Sequence, residues 1–170
     1  MKPYTRIFEQ SCFNLNKDIL QHFNALADQD FKDKTHLFNG RYENLYLPEN
    51  KIPGLKHIIE VARKNAAEIL AIEPNELLYG FWLNAMQPGD VTTAHTHDDS
   101  DELLSGVYYV KVAENSGDLI ITAGGEKIQI KPREGEFVFF KPDVLHEVSR
   151  NESHESRLSI AFNFGRTEKN

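Results

Sequence analysis

The sequence is poor in cysteine and in basic charge, and it has no long apolar run. Cys12 is the only cysteine, so no internal disulfide can form, and we expect it to be a small core residue. The 19 Lys and Arg residues are outnumbered by 26 Asp and Glu residues, so the net charge of −7 gives no basic surface for nucleic acid. No stretch approaches the roughly 18 apolar residues of a membrane span, and MKPYTRIFEQ lacks the apolar core of a signal peptide. These absences predict a cytoplasmic protein that binds neither nucleic acid nor membrane.

The chain has the size and composition of one globular domain. Its 170 residues are 40% hydrophobic, which is enough to bury a core. No internal repeat, low-complexity tract or linker divides it. We therefore expect a single domain over residues 1–170, with a helical support region at 1–76 and a β-sheet core at 77–170.

Two amphipathic patterns precede the β-rich part of the chain. The segment NLNKDILQHFNALADQD, at 14–30, repeats apolar residues on one stripe, and PGLKHIIEVARKNAAEILAI, at 53–72, does the same over a longer stretch. Each pattern predicts a helix. Between them, NGRYENLYLPENK at 39–51 is expected to contain a strand that pairs with a sheet edge.

From Leu77 onward the pattern changes to short runs of β-branched and aromatic residues, separated by Gly, Pro and Asn. About eight such runs follow without an interleaved helix pattern, which indicates an antiparallel sandwich or barrel. We expect a mainly β fold of the jelly-roll, cupin-like type, with the amino-terminal helices packed on the outside of one sheet.

Three histidines form the strongest candidate for a metal site. His95 and His97 lie two residues apart at the end of a predicted strand, so their side chains share a face. His146 follows a later strand and a proline-containing turn, GEFVFFKPDVL, which could bring a third imidazole to the same place. Histidine ligands suit a borderline divalent ion such as Fe(II).

Arg157 and Ser159 form a second candidate group, on the strand RLSIAF. Two residues apart on a strand, they can present a guanidinium and a hydroxyl to one carboxylate. This pattern predicts a co-substrate that carries a carboxylate. The alternative is that Arg157 makes an ion pair with a neighbouring acidic residue such as Glu155.

With these residues in this order, the chain resembles a small bacterial and phage group of 2-oxoglutarate- and Fe(II)-dependent oxygenases, which are distantly similar to prolyl hydroxylases. The resemblance runs from about FNGRYENLYLP through FWLNAMQPGD and HTHDDSDELLSGVYYVKVAENSGDL to GEFVFFKPDVLHEVSRNESHESRLSIAFNF. It implies a double-stranded β-helix, and an enzyme that uses Fe(II), 2-oxoglutarate and O2. Such a dioxygenase hydroxylates its substrate and releases succinate and CO2.

The resemblance also assigns the metal ligands. His95, six residues after Gly89, matches the first iron ligand of the hydroxylases, and His146 matches the distal ligand. Most members of the wider family use His-x-Asp, but here the second position is His97. Either the site contains His95, His97 and His146, or the register moves by two so that His97 pairs with Asp99.

For the co-substrate, the resemblance places Arg157 on the distal carboxylate of 2-oxoglutarate, with help from Ser159. Tyr109 matches a tyrosine that donates a phenol hydrogen bond to the same carboxylate in prolyl-hydroxylase-like enzymes. Asn84 and Trp82 alternate on the preceding strand and resemble pocket-lining residues, although Trp82 suits the core equally well.

Two other functions compete with this interpretation. The segment GDVTTAHTHDDSDE also fits the cupin pattern, in which Glu102 would be a fourth ligand of a dioxygenase or isomerase that does not use 2-oxoglutarate. A non-catalytic metal or small-ligand binding module is the other alternative. The prime substrate, a small molecule or a peptide, is not specified by the sequence, and neither is the oligomeric state, with a homodimer among the options.

Overall fold

The computed structural model describes residues 2–97 and 101–166, which fold into two antiparallel β-sheets with helices against one of them. Within these residues the strands are β1 (Thr5–Phe8), β2 (Asp33–Phe38), β3 (Arg41–Tyr46), β4 (Leu77–Met86), β5 (Thr92–His95), β6 (Glu102–Lys111), β7 (Leu119–Ala123), β8 (Glu126–Ile130), β9 (Glu136–Phe140), β10 (Leu145–Val148) and β11 (Arg157–Arg166). The helices are α1 (Gln10–Phe13), α2 (Asn16–Asn24) and α3 (Leu55–Leu70).

The strand order is that of a double-stranded β-helix, as predicted. The larger sheet has the order β1-β9-β6-β11-β4-β3-β2, and the smaller sheet has the order β5-β10-β7-β8. Every predicted strand after Leu77 is present, and the strand predicted within 39–51 is β3. Its predicted place at the edge of the sheet is wrong, because β2 pairs with its outer side and forms the edge instead. The strands β1 and β2 were not predicted, so the first part of the chain is less helical than its apolar stripes suggest.

The two predicted helices differ in how well they match the structure. Helix α3 occupies nearly all of its predicted segment, with Gly54 (φ +90°) before it and Ala71 (φ +53°) after it. The segment at 14–30 is wrong as one continuous helix, because α2 ends at Asn24. A separate 3-10 turn, Asp28–Asp30, follows, and the Asp30 carboxylate accepts a hydrogen bond from the Ala27 backbone N–H at 2.7 Å. This side chain competes with the helical hydrogen-bond ladder for the backbone.

Alternation along β11 separates the core from the site. Its even-numbered residues pack against the helices in the main hydrophobic core, which contains Leu158, Ile160, Phe162 and Phe164. Its odd-numbered residues Arg157, Ser159 and Ala161 line a cavity between the two sheets. The strand pattern of period two therefore places chemistry on one face and packing on the other.

The helices in the described part of the chain do not include a candidate membrane span. None of its helices is long and apolar enough for that role. Cys12 is fully buried in the main core, as predicted.

Candidate active site

Two adjacent strands of the smaller sheet bring the three predicted histidines together. Strands β5 and β10 are antiparallel, and His146 is the direct partner of His95 in their ladder. The ring centroids of His95 and His146 are 4.3 Å apart, and those of His97 are 4.8 Å from His95 and 4.9 Å from His146. The nitrogen atoms that could bind a metal all lie within 4.8 Å of one another.

Backbone carbonyls orient two of the rings. The Nδ1 atom of His95 lies 2.7 Å from the carbonyl oxygen of Thr93, and Nδ1 of His146 lies 2.9 Å from that of Val144. Because a carbonyl oxygen only accepts, each Nδ1 carries the proton, and each Nε2 keeps a free lone pair for a metal. The backbone N–H of His97 donates to the Pro142 carbonyl at 2.7 Å, which ties this third histidine to the turn before β10.

The environment keeps His146 neutral. Burial and, to a smaller extent, the neighbouring imidazole of His95 together lower the pKa of His146 to about 3. Only a neutral imidazole can offer its nitrogen lone pair to a metal ion. At neutral pH this residue is therefore already in the state that metal binding requires.

A buried guanidinium lies in the same cavity as the histidines. Arg157 is 1% exposed, and no carboxylate of the described residues forms an ion pair with it. Burial lowers its pKa, since the charged form is separated from water. Its Nε atom has no hydrogen-bond partner among the described residues, and its Nη1 lies 3.7 Å from the Met86 sulfur, which is a weak acceptor. A buried charge in this condition is costly unless a ligand supplies the opposite charge.

The neighbours of Arg157 complete a binding surface for an anion. The Tyr109 ring lies beside it, with the guanidinium carbon 5.3 Å from the ring centroid. The Tyr109 hydroxyl is buried, and burial raises the pKa of Tyr109 to about 12, so the phenol keeps its proton at neutral pH. It forms no hydrogen bond of regular geometry with any described residue. Ser159, directly opposite both Tyr109 and Asn84 in the sheet, lines the same cavity. Tyr109, Arg157 and Ser159 are thus adjacent, as the sequence predicts.

The structure also bears on the competing interpretations. Glu155 is exposed and forms an ion pair with Lys111 at 3.6 Å, so it is not the partner of Arg157. Glu102 lines a different cleft and is outside the histidine group, which removes the fourth ligand that the cupin pattern requires. Asp99 lies outside the described residues.

Arg41 and Glu43 contact the site from β3, and neither was predicted from the sequence to belong to it. Arg41 donates to the Asn84 side chain at 2.9 Å and to the Val91 carbonyl at 2.7 Å. Glu43 accepts two hydrogen bonds from Thr93, two residues before His95. The only available signal was a pair of charged residues at alternating positions in a strand expected to be an edge.

A wide cleft opens next to the histidine cavity, and Trp82 lines both. The Trp82 ring is 5.3 Å from the His97 ring and 6.3 Å from the Tyr46 ring. Along the larger sheet, Gly80 and Asn163 are direct partners, and Asn163 also pairs with Ser105 on β6. Gly80 and Asn163 line the cleft and Ser105 lines the histidine cavity, so this row of the sheet joins the two spaces.

Taken together, these residues fit a divalent metal with a carboxylate co-ligand. The three imidazoles provide neutral nitrogen ligands on one side of a point in the cavity, and the unsatisfied guanidinium and phenol hydroxyl fit a carboxylate. Backbone carbonyls fix the rings of His95 and His146 before a metal binds.

Comparisons with known proteins agree with this chemistry. The sequence model of the 2OG-Fe(II) oxygenase superfamily matches residues 81–165, half of the chain, and this range contains the three histidines and Arg157. Curated protein sequences give no significant match.

Solved structures share the fold at low identity. A prolyl-4-hydroxylase from Pseudomonas putida is similar with a TM-score of 0.76 and 16% identity, over 97% of this chain and 93% of that chain. A prolyl hydroxylase from Trichoplax adhaerens, in complex with a hypoxia inducible factor oxygen degradation domain peptide fragment, has a TM-score of 0.73 and 13% identity, over 98% and 84%. EvdO2 from Micromonospora carbonacea var. aurantiaca, complexed with 2-oxoglutarate, has a TM-score of 0.64 and 13% identity, over 97% and 86%.

Enzymes of this superfamily use Fe(II), 2-oxoglutarate and O2. The match to its sequence model, together with a double-stranded β-helix fold, establishes that the chain belongs to the 2OG-Fe(II) oxygenase superfamily.

Proposed function

We propose that this dioxygenase hydroxylates a C–H bond of its prime substrate at an iron ion held by His95, His97 and His146. The observation that carries the proposal is one shared cavity. The three imidazoles line it together with a buried guanidinium that has no carboxylate partner among the described residues. A divalent metal and a carboxylate are the two groups that these side chains fit.

The proposed ligand set leaves room for chemistry. His95, His97 and His146 would hold Fe(II) from one side of the cavity and would leave its other side accessible to the 2-oxo acid and O2. When bound, Fe(II) supplies the oxidising chemistry that converts 2-oxoglutarate and O2 to succinate and CO2 while a hydroxyl is added to the substrate. The protein supplies neutral ligands, fixed ring orientations and a buried cavity.

Arg157 is the proposed partner of the distal carboxylate of 2-oxoglutarate, with hydroxyl groups from Ser159 and Tyr109 beside it. A guanidinium binds a carboxylate through two parallel hydrogen bonds, so it fixes the direction of the co-substrate as well as its charge. Asn84 is proposed to line this end of the cavity. Its amide is held by Arg41 and donates to the Thr92 hydroxyl at 2.9 Å, so it forms a fixed wall.

The cleft beyond Trp82 is the proposed entrance for the prime substrate. Its volume is about 1060 Å³, which is at the upper limit of the roughly 300–1,000 Å³ that is typical of small-molecule pockets. Leu78 and Tyr79 on its rim are 57% and 36% exposed. An open cleft with exposed apolar rim residues favours a peptide segment over a small metabolite enclosed on all sides.

Two further properties belong to the same proposal. We place the enzyme in the cytoplasm, in keeping with a single buried thiol that has no disulfide partner. We also treat the chain as one domain, in which the amino-terminal helices support the larger sheet.

Succinate formation tests the proposed function directly. The protein would be incubated in air with Fe(II), ascorbate and isotope-labelled 2-oxoglutarate, alone and with panels of amino acids, short peptides and small metabolites. We expect labelled succinate above the level of a His146→Ala variant, and the largest increase with a peptide. Succinate no higher than in His146→Ala under every condition would overturn the proposal.

A further inference from the structure

Strand β5, which carries His95, is an edge strand. Among the residues that the structure describes, it pairs in the smaller sheet only with β10, and no other described strand of that sheet pairs with its second edge. Strand β3 of the larger sheet approaches this edge with two side chains, Arg41 and Glu43. The site therefore depends on a contact between the two sheets that no backbone ladder provides.

Glu43 holds one residue of β5 at two points. Its Oε1 accepts from the Thr93 backbone N–H at 2.9 Å, and its Oε2 accepts from the Thr93 hydroxyl at 2.9 Å. The carbonyl of the same Thr93 accepts from Nδ1 of His95 at 2.7 Å. Glu43 thus fixes the residue whose carbonyl fixes the ring orientation and tautomer of His95.

The Glu43 carboxylate is buried without a direct hydrogen bond from a charged donor among the described residues. The residue is only 3% exposed, and its hydrogen bonds to described residues come from uncharged donors. Arg41 is near enough to interact with it electrostatically, but the guanidinium Nε of Arg41 faces Asp90, at 3.4 Å. Burying a carboxylate costs free energy that neutral donors offset only in part.

From these contacts we infer that Glu43 is a positioning residue for the metal site, acting through Thr93 on His95. The inference rests on the proposed iron site. Three neutral imidazoles leave the full charge of a ferrous ion uncompensated, and a buried carboxylate behind one of the ligands stabilises that charge. Strand β3 thereby contributes to the site although none of its residues is a metal ligand.

The test is the affinity for Fe(II) under anaerobic conditions. Glu43→Gln keeps the size of the side chain but removes its charge and one of two acceptors. We expect the dissociation constant for Fe(II) to rise about 10- to 100-fold, as for other residues that orient metal ligands. Glu68→Gln, an exposed residue of α3, removes the same charge elsewhere and should bind Fe(II) like the wild type.

Substitutions of Thr93 give an independent route if Glu43→Gln folds poorly. Thr93→Val loses the hydroxyl that binds Glu43 and should weaken Fe(II) binding. Thr93→Ser keeps the hydroxyl and should bind Fe(II) like the wild type. In protein loaded with Zn(II), the NMR signal of the His95 Nδ1–H should be protected from exchange in the wild type and in Thr93→Ser, and lost in Glu43→Gln.

The outcomes separate this inference from the proposed function. If the wild type binds no Fe(II), the proposed iron site itself is wrong. If the wild type binds Fe(II) and both Glu43→Gln and Thr93→Val bind it equally well, only the positioning role is wrong. The same conclusion follows if the variants lower the unfolding temperature of the metal-free protein but leave the affinity and the His95 signal unchanged.

Discussion

His95 and His146 are direct partners in the β5–β10 ladder, and their ring centroids are 4.3 Å apart. This relationship joins two segments that are distant in sequence, and the hydrogen-bond register of one strand pair enforces it. Because a shift of register by one residue would turn a side chain to the opposite face, the ladder determines whether the site exists. Metal binding depends on this arrangement, and co-substrate binding depends on the buried guanidinium beside it.

Arg157→Met should separate co-substrate binding from stability. Methionine fills a similar volume without a charge, so the free protein should be as stable as the wild type or more stable, because the buried guanidinium has no carboxylate partner among the described residues. Affinity for 2-oxoglutarate should fall by about 2–4 kcal/mol. Calorimetric titration and thermal unfolding measure the two effects. A large loss of stability with unchanged affinity would show that Arg157 has only a structural role.

Tyr109→Phe removes a single buried hydroxyl. In the free protein this hydroxyl has no regular hydrogen bond to any described residue, so its loss should not lower the free energy of unfolding. A hydrogen bond to a charged group contributes about 1.5–3 kcal/mol, so affinity for 2-oxoglutarate should fall about ten-fold or more. Equal affinities in wild type and variant would remove Tyr109 from the proposed carboxylate site.

Gly80 offers a way to close the proposed substrate cleft. A Cβ atom at Gly80 meets no other atom within 4 Å, so a larger side chain fits there without displacing the sheet. Gly80→Phe should abolish the increase in succinate caused by the prime substrate but leave 2-oxoglutarate affinity intact. Gly80→Ala is the matched control and should remain active. If Gly80→Phe responds to substrate like the wild type, the substrate enters elsewhere.

The identity of the second metal ligand can be decided by parallel variants. His97→Ala should abolish tight Fe(II) binding, since it removes one of three converging imidazoles. Asp99→Ala should leave the affinity within a few-fold of the wild type. The reverse result would mean that His97 and Asp99 form the ligand pair, and two unaffected variants would mean that the metal site was assigned wrongly.

Much of the site could be predicted from local patterns. Residues two apart on a strand share a face, and this rule alone placed His95 near His97 and Arg157 near Ser159. The position of His146 next to His95 could not be predicted from local patterns, because nothing in the segment around His146 specifies the strand with which it pairs. The resemblance to known oxygenases supplied that missing information.

Other features depend on contacts between sheets, which a linear pattern does not contain. Strand β1 is only four residues long and is held by pairing with β9 and by the ion pair of Arg6 with Glu136. The hydrogen bonds between Glu43 and Thr93 join β3 to β5, which belong to different sheets. In the sequence these residues are indistinguishable from exposed charges, so only the folded chain reveals their roles.

The most direct test of the central claim is anaerobic titration of the wild type with Fe(II) and then with 2-oxoglutarate, followed by visible absorption. We expect one Fe(II) per chain and a charge-transfer band that appears only when both are present, that disappears in His146→Ala and that requires higher 2-oxoglutarate in Arg157→Met. Iron binding without such a band, or a band that persists in His146→Ala, would contradict the proposed site.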